Sequence, residues 1–379
     1  MSDSFQTVTN RNYFQRLGDS LAGVVFGFIL IFVAIGVLSW NEGREVKAFQ
    51  AIGNAGREVV SVAASPVNSA NENKLIHVSA NANATAPLTD SEVSVTKGDI
   101  LALVRTVENY QWLEDKETKT KDKVGGGQET TTTYSYRQGW AHGMQSSSNF
   151  GQSAGHENPA ETIASTIIYA NDAKLGDFSL GEPILSKLET DVPFVPEVAT
   201  NGWVKTTSGL FKGRGTFDNP QIGDIRISYT TAASNQSISV MGKQMANGIV
   251  SWSPANSNYS MLLVSNGNID APTMLKNQKE MEGALTWVLR FVGTLCMVFG
   301  IGLLLGPIKA LGNIIPFVAS AIGGVGGLLA LALGLPISLV IIAVAWFAVR
   351  PILSVVLIGA AIAGFMLLRR KPVAVPAAA

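Results

Sequence analysis

Ala284 to Leu368 holds no Asp or Glu, and its only charges are Arg290, Lys309 and Arg350. A helix of roughly 20 mostly apolar residues is enough to cross the hydrocarbon core of a bilayer. This stretch is several times that length, so the chain reads as an integral membrane protein. Every upstream segment is then tethered to a membrane or threaded through it.

A second uncharged apolar run, Leu21 to Trp40, follows Arg11 and Arg16. A cleaved signal peptide also starts basic, but its apolar core is shorter and ends at a small-x-small site. The length favours a retained anchor, with Trp40 suited to the headgroup zone. Residues 1–19 are then a cytoplasmic tail and 20–40 the first span. Residues 41–283 contain no further run long enough to span, and they carry the acidic excess of a 379-residue chain whose formal charge is zero. An acidic domain argues against nucleic acid, whose phosphates are bound by clustered Lys and Arg. The single cysteine, Cys296, rules out a disulfide within the chain and a cysteine-rich metal site.

Within this domain, Lys74 to Ala80 and Leu101 to Glu114 read as strands, with Tyr110 and Trp112 on one face by period-two alternation. The charged run Glu114 to Lys123, followed by Gly125, Gly126 and Gly127, marks a turn. Thr130, Thr132, Tyr134, Tyr136 and Trp140 then share a face, predicting a hairpin whose aromatic faces meet across the pair. Asn158, Pro159 and Glu161 predict a helix start, with Ile163, Ile167 and Ala170 at helical spacing behind it. Further strands are expected at Ile225 to Thr230, Ser237 to Met241 and Met261 to Val264. Asp270, Ala271 and Pro272 open a helix that runs unbroken into the membrane.

The C-terminal block, 284–368, divides into spans at about 285–308, 323–349 and 351–368, sealed by the basic tail 369–379. Arg290 lies near the outer end of its span, close enough to snorkel. Charge bias favours four spans over five, because four put the N-terminus, Lys309 and Arg369-Arg370-Lys371 on one side, the cytoplasmic one. Pro316 to Ile322 becomes an interfacial or re-entrant lead-in. The fold class is therefore a multipass α-helical membrane protein, one N-terminal plus three C-terminal spans, with a large β-rich α+β extracytoplasmic domain between the first two.

Catalytic signals are sparse. His77, His142 and His156 show no metal-ligand spacing, and loop structure explains His156-Glu157 better than chemistry does. No GxSxG, phosphate-binding loop or HExxH motif occurs. No enzyme activity, catalytic residue, cofactor or metal is expected, although a hydrolase site assembled only in three dimensions remains a third reading. Small residues say more. Gly23-x-x-x-Gly27 and Gly302-x-x-x-Gly306 fit close helix packing, although glycine is common in membrane helices and each match alone is weak. The run containing Gly323, Gly324, Gly326 and Gly327 suits a packing face better than a hinge or re-entrant element. Absence of charge in the span cores weakens a transport reading.

From Asn41-Glu42-Gly43-Arg44 onward the chain resembles the transmembrane protein 43 (LUMA) family. The likeness continues through Glu108, Tyr110 and Trp112, then Tyr134, Tyr136 and Trp140. It runs on through His156, Asn158 and Pro159, then Gly223 and Asp224, to the Trp346 to Pro351 segment. The motifs are short but keep their order across nearly the whole chain. The resemblance implies a multipass protein that self-associates and organises membrane-protein complexes, with no catalytic residues to carry over. Eukaryotic members lie in the endoplasmic reticulum and inner nuclear membrane. Nothing in this chain is distinctively eukaryotic, so a bacterial member is expected, in the inner membrane with a periplasmic domain.

The leading expectation is a non-enzymatic homo-oligomeric scaffold contacting lipid and an unidentified membrane or extracytoplasmic protein. The alternative is a channel or a lipid- or ligand-sensing signalling protein.

Overall fold

The computed structural model describes residues 3–123, 127–197, 201–255, 257–307, 316–346, 355–356, 359–360 and 362–366. β1 (Asp3–Arg11) and helix α1 (Tyr13–Glu58) lead into β2 (Val60–Ser61), β3 (Leu75–Asn83), β4 (Leu88–Asp90) and β5 (Val95–Lys97). The long pair β6 (Ile100–Asp122) and β7 (Gln128–His142) is followed by β8 (Thr166–Tyr169), β9 (Lys174–Leu175), β10 (Phe178–Ser179), the one-turn α2 (Glu182–Leu185) and β11 (Val192–Phe194). Then come β12 (Val204–Lys205), β13 (Leu210–Lys212), β14 (Ile225–Ala233), β15 (Gln236–Met245), β16 (Gly248–Val250) and β17 (Leu263–Asn266). Helices α3 (Ala271–Leu304) and α4 (Pro316–Trp346) close the described chain, apart from short helical pieces after residue 354.

Contacts divide the chain into two compact units. The first comprises Met1–Gln6, Ala51–Glu117 and Thr132–Gln278. Its larger sheet runs β1-β7-β6-β14-β13-β12, with β11 beside β14 and β8 beside β6. A second sheet runs β17-β15-β16-β10-β9-β3-β2, and β15 also pairs along β3 from Gln236↔Ala82 to Lys243↔Leu75, so it closes on itself. Alternation dictates the faces. Along β6, Leu103, Val107, Asn109, Gln111 and Leu113 are buried, while Glu108, Tyr110 and Trp112 lie on the half-buried face. The core fills with Val78, Leu101, Leu103, Phe178, Ile227 and Val240 from both sheets and Leu185 from α2.

The second unit comprises Thr7–Gln50, Thr118–Thr131 and Lys279–Ala379. Three helices here are long and apolar enough to cross a membrane: Phe14–Glu58, Ala271–Leu304 and Gly326–Trp346. Phe26, Phe32, Phe291, Phe299 and Leu328 stay exposed on them, as side chains that face lipid do. Ala34, Met297, Ile301 and Ala330 pack α1, α3 and α4 together.

Several expectations need correction. The first helix does not stop at Trp40 but continues through Glu58, because residues 41–58 contain no proline and keep good helix formers. The charged run Glu114 to Lys123 is not a turn; β6 extends through Asp122, since its Lys, Glu and Thr alternate as comfortably on an exposed strand. Gly125 and Gly126 lie outside the described residues. No helix follows Asn158-Pro159: residues 158–165 are irregular and Thr166–Tyr169 is β8, its β-branched residues paired with Ala102 to Arg105. Asn158 spends its side chain on Trp112 instead of on a helix cap.

At the start of the chain, residues 3–11 are a strand beside β7 rather than a free tail, with Phe5 stacked on Tyr134 at 6.1 Å. Near the hairpin tip, Lys123 Nζ donates to Asn10 Oδ1 at 2.7 Å and Arg16 pairs with Asp122 at 3.0 Å. Pro316 to Ile322 forms the first turns of α4 rather than a separate lead-in. Lys309, half of the span at 351–368 and the basic tail lie outside the described residues.

Candidate functional site

The Asn41-Glu42-Gly43-Arg44 motif sits on α1, where helical spacing groups Asn41, Glu42 and Glu45 on the buried side. On α3, Glu282, Thr286 and Arg290 recur every four residues and so form one stripe. The two stripes interlock. Arg290 Nε donates to Glu42 Oε1 at 2.7 Å, and its Nη2 donates to Glu42 Oε2 at 2.8 Å and to Glu45 Oε2 at 3.4 Å. The same guanidinium lies 4.8 Å from the Trp287 ring and 4.9 Å from that of Trp346 on α4. Arg44 Nη1 donates to Glu282 and Nη2 to Thr286 Oγ1, while Asn41 Nδ2 donates to the Thr286 carbonyl at 3.2 Å.

Glu42 is fully buried and the Arg290 side chain is 11 % exposed. Arg290 therefore does not snorkel to the surface as expected. A planar fork held bidentate by one carboxylate, with aromatic rings nearby, uses what distinguishes arginine from lysine. Such an array fixes helix register and crossing; it contains no nucleophile. One signal could have found it: Arg290 is a lone cation in an apolar span, and such charges pair inside a bundle.

Helix packing beneath it uses glycine, but within the chain. A Cβ at Gly27 would sit 2.8 Å from the Gly300 carbonyl oxygen, and Gly300 meets the Gly27 carbonyl in turn. Gly23 faces Leu303, Gly302 faces Ala330 and Gly306 faces Ser20, each in ordinary contact. On α4, Gly326 is buried and Gly327 exposed, while Gly323 and Gly324 lie on the helix N-terminal to them.

The remaining motif residues gather in the first unit around the β6–β7 pair. Arg226 stands opposite Glu108 in register and grips it at 2.7 and 2.9 Å. That bond holds the Glu108 carboxyl below its ordinary range. The Arg226 guanidinium also lies 4.7 Å from the Trp140 ring, which meets Tyr110 edge-on at 5.3 Å. His156, fully buried, stacks on Tyr136 at 3.8 Å and meets Trp112 edge-on at 4.7 Å. Tyr136 Oη donates to Glu114 at 2.9 Å and accepts from the Gln152 N–H at 2.7 Å; burial raises its pKa, and Glu114 adds to the rise.

Asn158 mimics a strand, accepting from the Trp112 N–H at 2.8 Å and donating to the Trp112 carbonyl at 2.9 Å. Asp224 accepts the N–H groups of Arg214, Gly215 and Gln221 and so pins the loop before β14. Gly223 has φ +93°, and a Cβ there would lie 3.3 Å from Pro159 Cγ, which accounts for glycine twice over.

A third polar centre escaped the sequence reading. Arg105, 2 % exposed, donates to both Asp90 oxygens at 2.6 and 2.8 Å, and Tyr229 Oη donates to Asp90 Oδ2 at 2.8 Å. Burial raises the Tyr229 pKa and the bond to Asp90 adds to the rise, while the Arg105 charge opposes it. Of the other histidines, His77 Nε2 bonds the Ile269 carbonyl at 2.8 Å and His142 Nδ1 lies 3.4 Å from the Val107 carbonyl. Among the described residues no group of three His, Cys, Asp or Glu is placed to hold a metal ion.

Residues 109–351 match the family model described as transmembrane protein 43. The transmembrane protein 43 homolog of Drosophila melanogaster is 29% identical, over 88% of this chain and 90% of its own length. Transmembrane protein 43 of Homo sapiens is 24% identical over 97% and 94%, and that of Rattus norvegicus 25% identical over 91% and 89%. No solved structure matches.

Proposed function

Because the chain belongs to the transmembrane protein 43 family and carries helices fit to span a bilayer, we propose that it is a non-enzymatic membrane scaffold that self-associates and organises membrane-protein complexes. One observation carries this reading. The ionisable and aromatic residues of the recurring motifs are spent on one another, in ties such as Arg290–Glu42 and Arg226–Glu108 that stiffen helices and strands. Rigid elements held this way present surfaces to partners.

Gly27 and Gly302, read from the sequence as helix-packing glycines, pack against Gly300 and Ala330 of the same chain. Self-association falls instead to the outward face of α1, where exposed Gly36 and Gly43 recur at a seven-residue interval with open space around them among the described residues. Small residues on a membrane helix let a second backbone approach. The domain is extracytoplasmic on the charge bias of Lys309 and the Arg369-Arg370-Lys371 tail, in the periplasm if the membrane is a bacterial inner one. Crosslinking in native membranes tests the scaffold. Bands at multiples of the chain mass, or a reproducible membrane-protein partner, are expected; monomer alone would overturn it.

A further inference from the structure

Beyond the ion-paired Arg105, the buried face of β6 carries two amide side chains, Asn109 and Gln111, and their fates differ. Gln111 is satisfied: Nε2 donates to the Gly143 carbonyl at 2.6 Å and Oε1 accepts from the Gln145 N–H at 2.6 Å. Asn109 is equally buried, yet neither its amide oxygen nor its amide nitrogen has a hydrogen-bond partner among the described residues. A buried polar group without a partner costs about 1–3 kcal/mol, so a fold that retains one is set up to receive one.

Asn109 lines a cleft of about 400 Å³, within the size range of small-ligand sites. Met144, Pro159, Ala160 and Ile222 supply apolar wall. Two other polar side chains there are already committed, Asp224 to three loop N–H groups and Asn158 to the Trp112 main chain. Glu157 and Arg214 stand exposed at the rim with opposite charges, which favours a neutral guest over a phosphate or a cation. Seating such a guest requires the Asn109 amide, which has no hydrogen bond to break among the described residues, to rotate into the cleft.

We infer that this cleft binds a carboxamide, seated by a paired donor and acceptor on the Asn109 amide, as part of a polypeptide segment of a partner. A carboxamide is the neutral group that returns one donor and one acceptor to such a side chain. It comes either from a main-chain peptide bond or from an Asn or Gln side chain. The inference deepens the scaffold reading by naming how a partner is held, yet its probes are free amides, so it can fail while self-association stands.

Saturation-transfer NMR on the full chain in nanodiscs tests it, with N-acetylglycine N-methylamide for the main-chain source and propanamide for the side-chain source. A saturable signal from at least one probe is expected, abolished by Ala160→Trp, which fills the cleft from its exposed wall. Asn109→Leu should weaken it about tenfold, equivalent to ~1.4 kcal/mol. If Asn109→Leu does not fold, Ala160→Trp carries the test by itself. No saturable signal from either probe means that Asn109 holds only a resident water, and a signal unchanged in Ala160→Trp places binding elsewhere; either result overturns the site.

Discussion

Replacing Arg290 by alanine deletes a fork that Glu42 holds at 2.7 and 2.8 Å and that lies near the rings of Trp287 and Trp346. The larger effect is what remains. Glu42 is fully buried, and a buried charge left without its partner costs about 3–5 kcal/mol. Loss of the two ring contacts adds about 0.5–2 kcal/mol each. Arg290→Lys keeps the charge but gives up the planar fork, so it should recover only part of the loss. Removing both charges, as Glu42→Leu with Arg290→Met, should cost far less than the two single changes together, because no charge is stranded. Unfolding in mixed detergent micelles, followed by tryptophan fluorescence, measures the parent chain and each variant. Additive single and double effects, within about 0.5 kcal/mol, would show that the two side chains do not interact and would refute the interlock.

Gly27→Leu pushes a side chain against the Gly300 carbonyl and should destabilise the helices by about 1–3 kcal/mol on the same micelle scale. Glu108 titrates below its ordinary 4.5 because Arg226 holds its anion, so its contribution to stability is present above pH 4.5 and disappears as pH falls through the lower folded value. Melting of the full chain should therefore drop on acidification below pH 4.5, and Glu108→Gln should flatten that drop. Pairing of β1 with β7 predicts that Ser4→Cys and Thr133→Cys react with an impermeant maleimide from the same side of sealed vesicles. Opposite-side labelling would mean that β1 does not pair with the hairpin of its own chain in the membrane.

The apolar helices, the long hairpin and the Asp270 helix start were legible because each rests on local pattern: run length, period two, a capping carboxylate. Asp270 Oδ1 does accept the Thr273 N–H at 2.9 Å. Asn158-Pro159 shows the limit of local pattern, since a capping signature loses when a distant strand offers the same side chain two main-chain bonds. Helix α1 outlasting Trp40 was hidden because the change from apolar to polar residues marks a membrane boundary, not a helix end. The Glu42–Arg290 tie joins residues 248 apart, and nothing in either neighbourhood names the other. Asn109 was invisible for a different reason: its alternation places it inward with Val107, but only the fold shows that no partner awaits it.

The most direct test of self-association is the mass of the chain extracted from its native membrane in polymer nanodiscs, compared with Gly36→Leu, a change on the open face of α1. A defined multiple of the chain mass that falls to one chain in the variant is expected. A single chain in both, with no co-purifying protein, would contradict the scaffold.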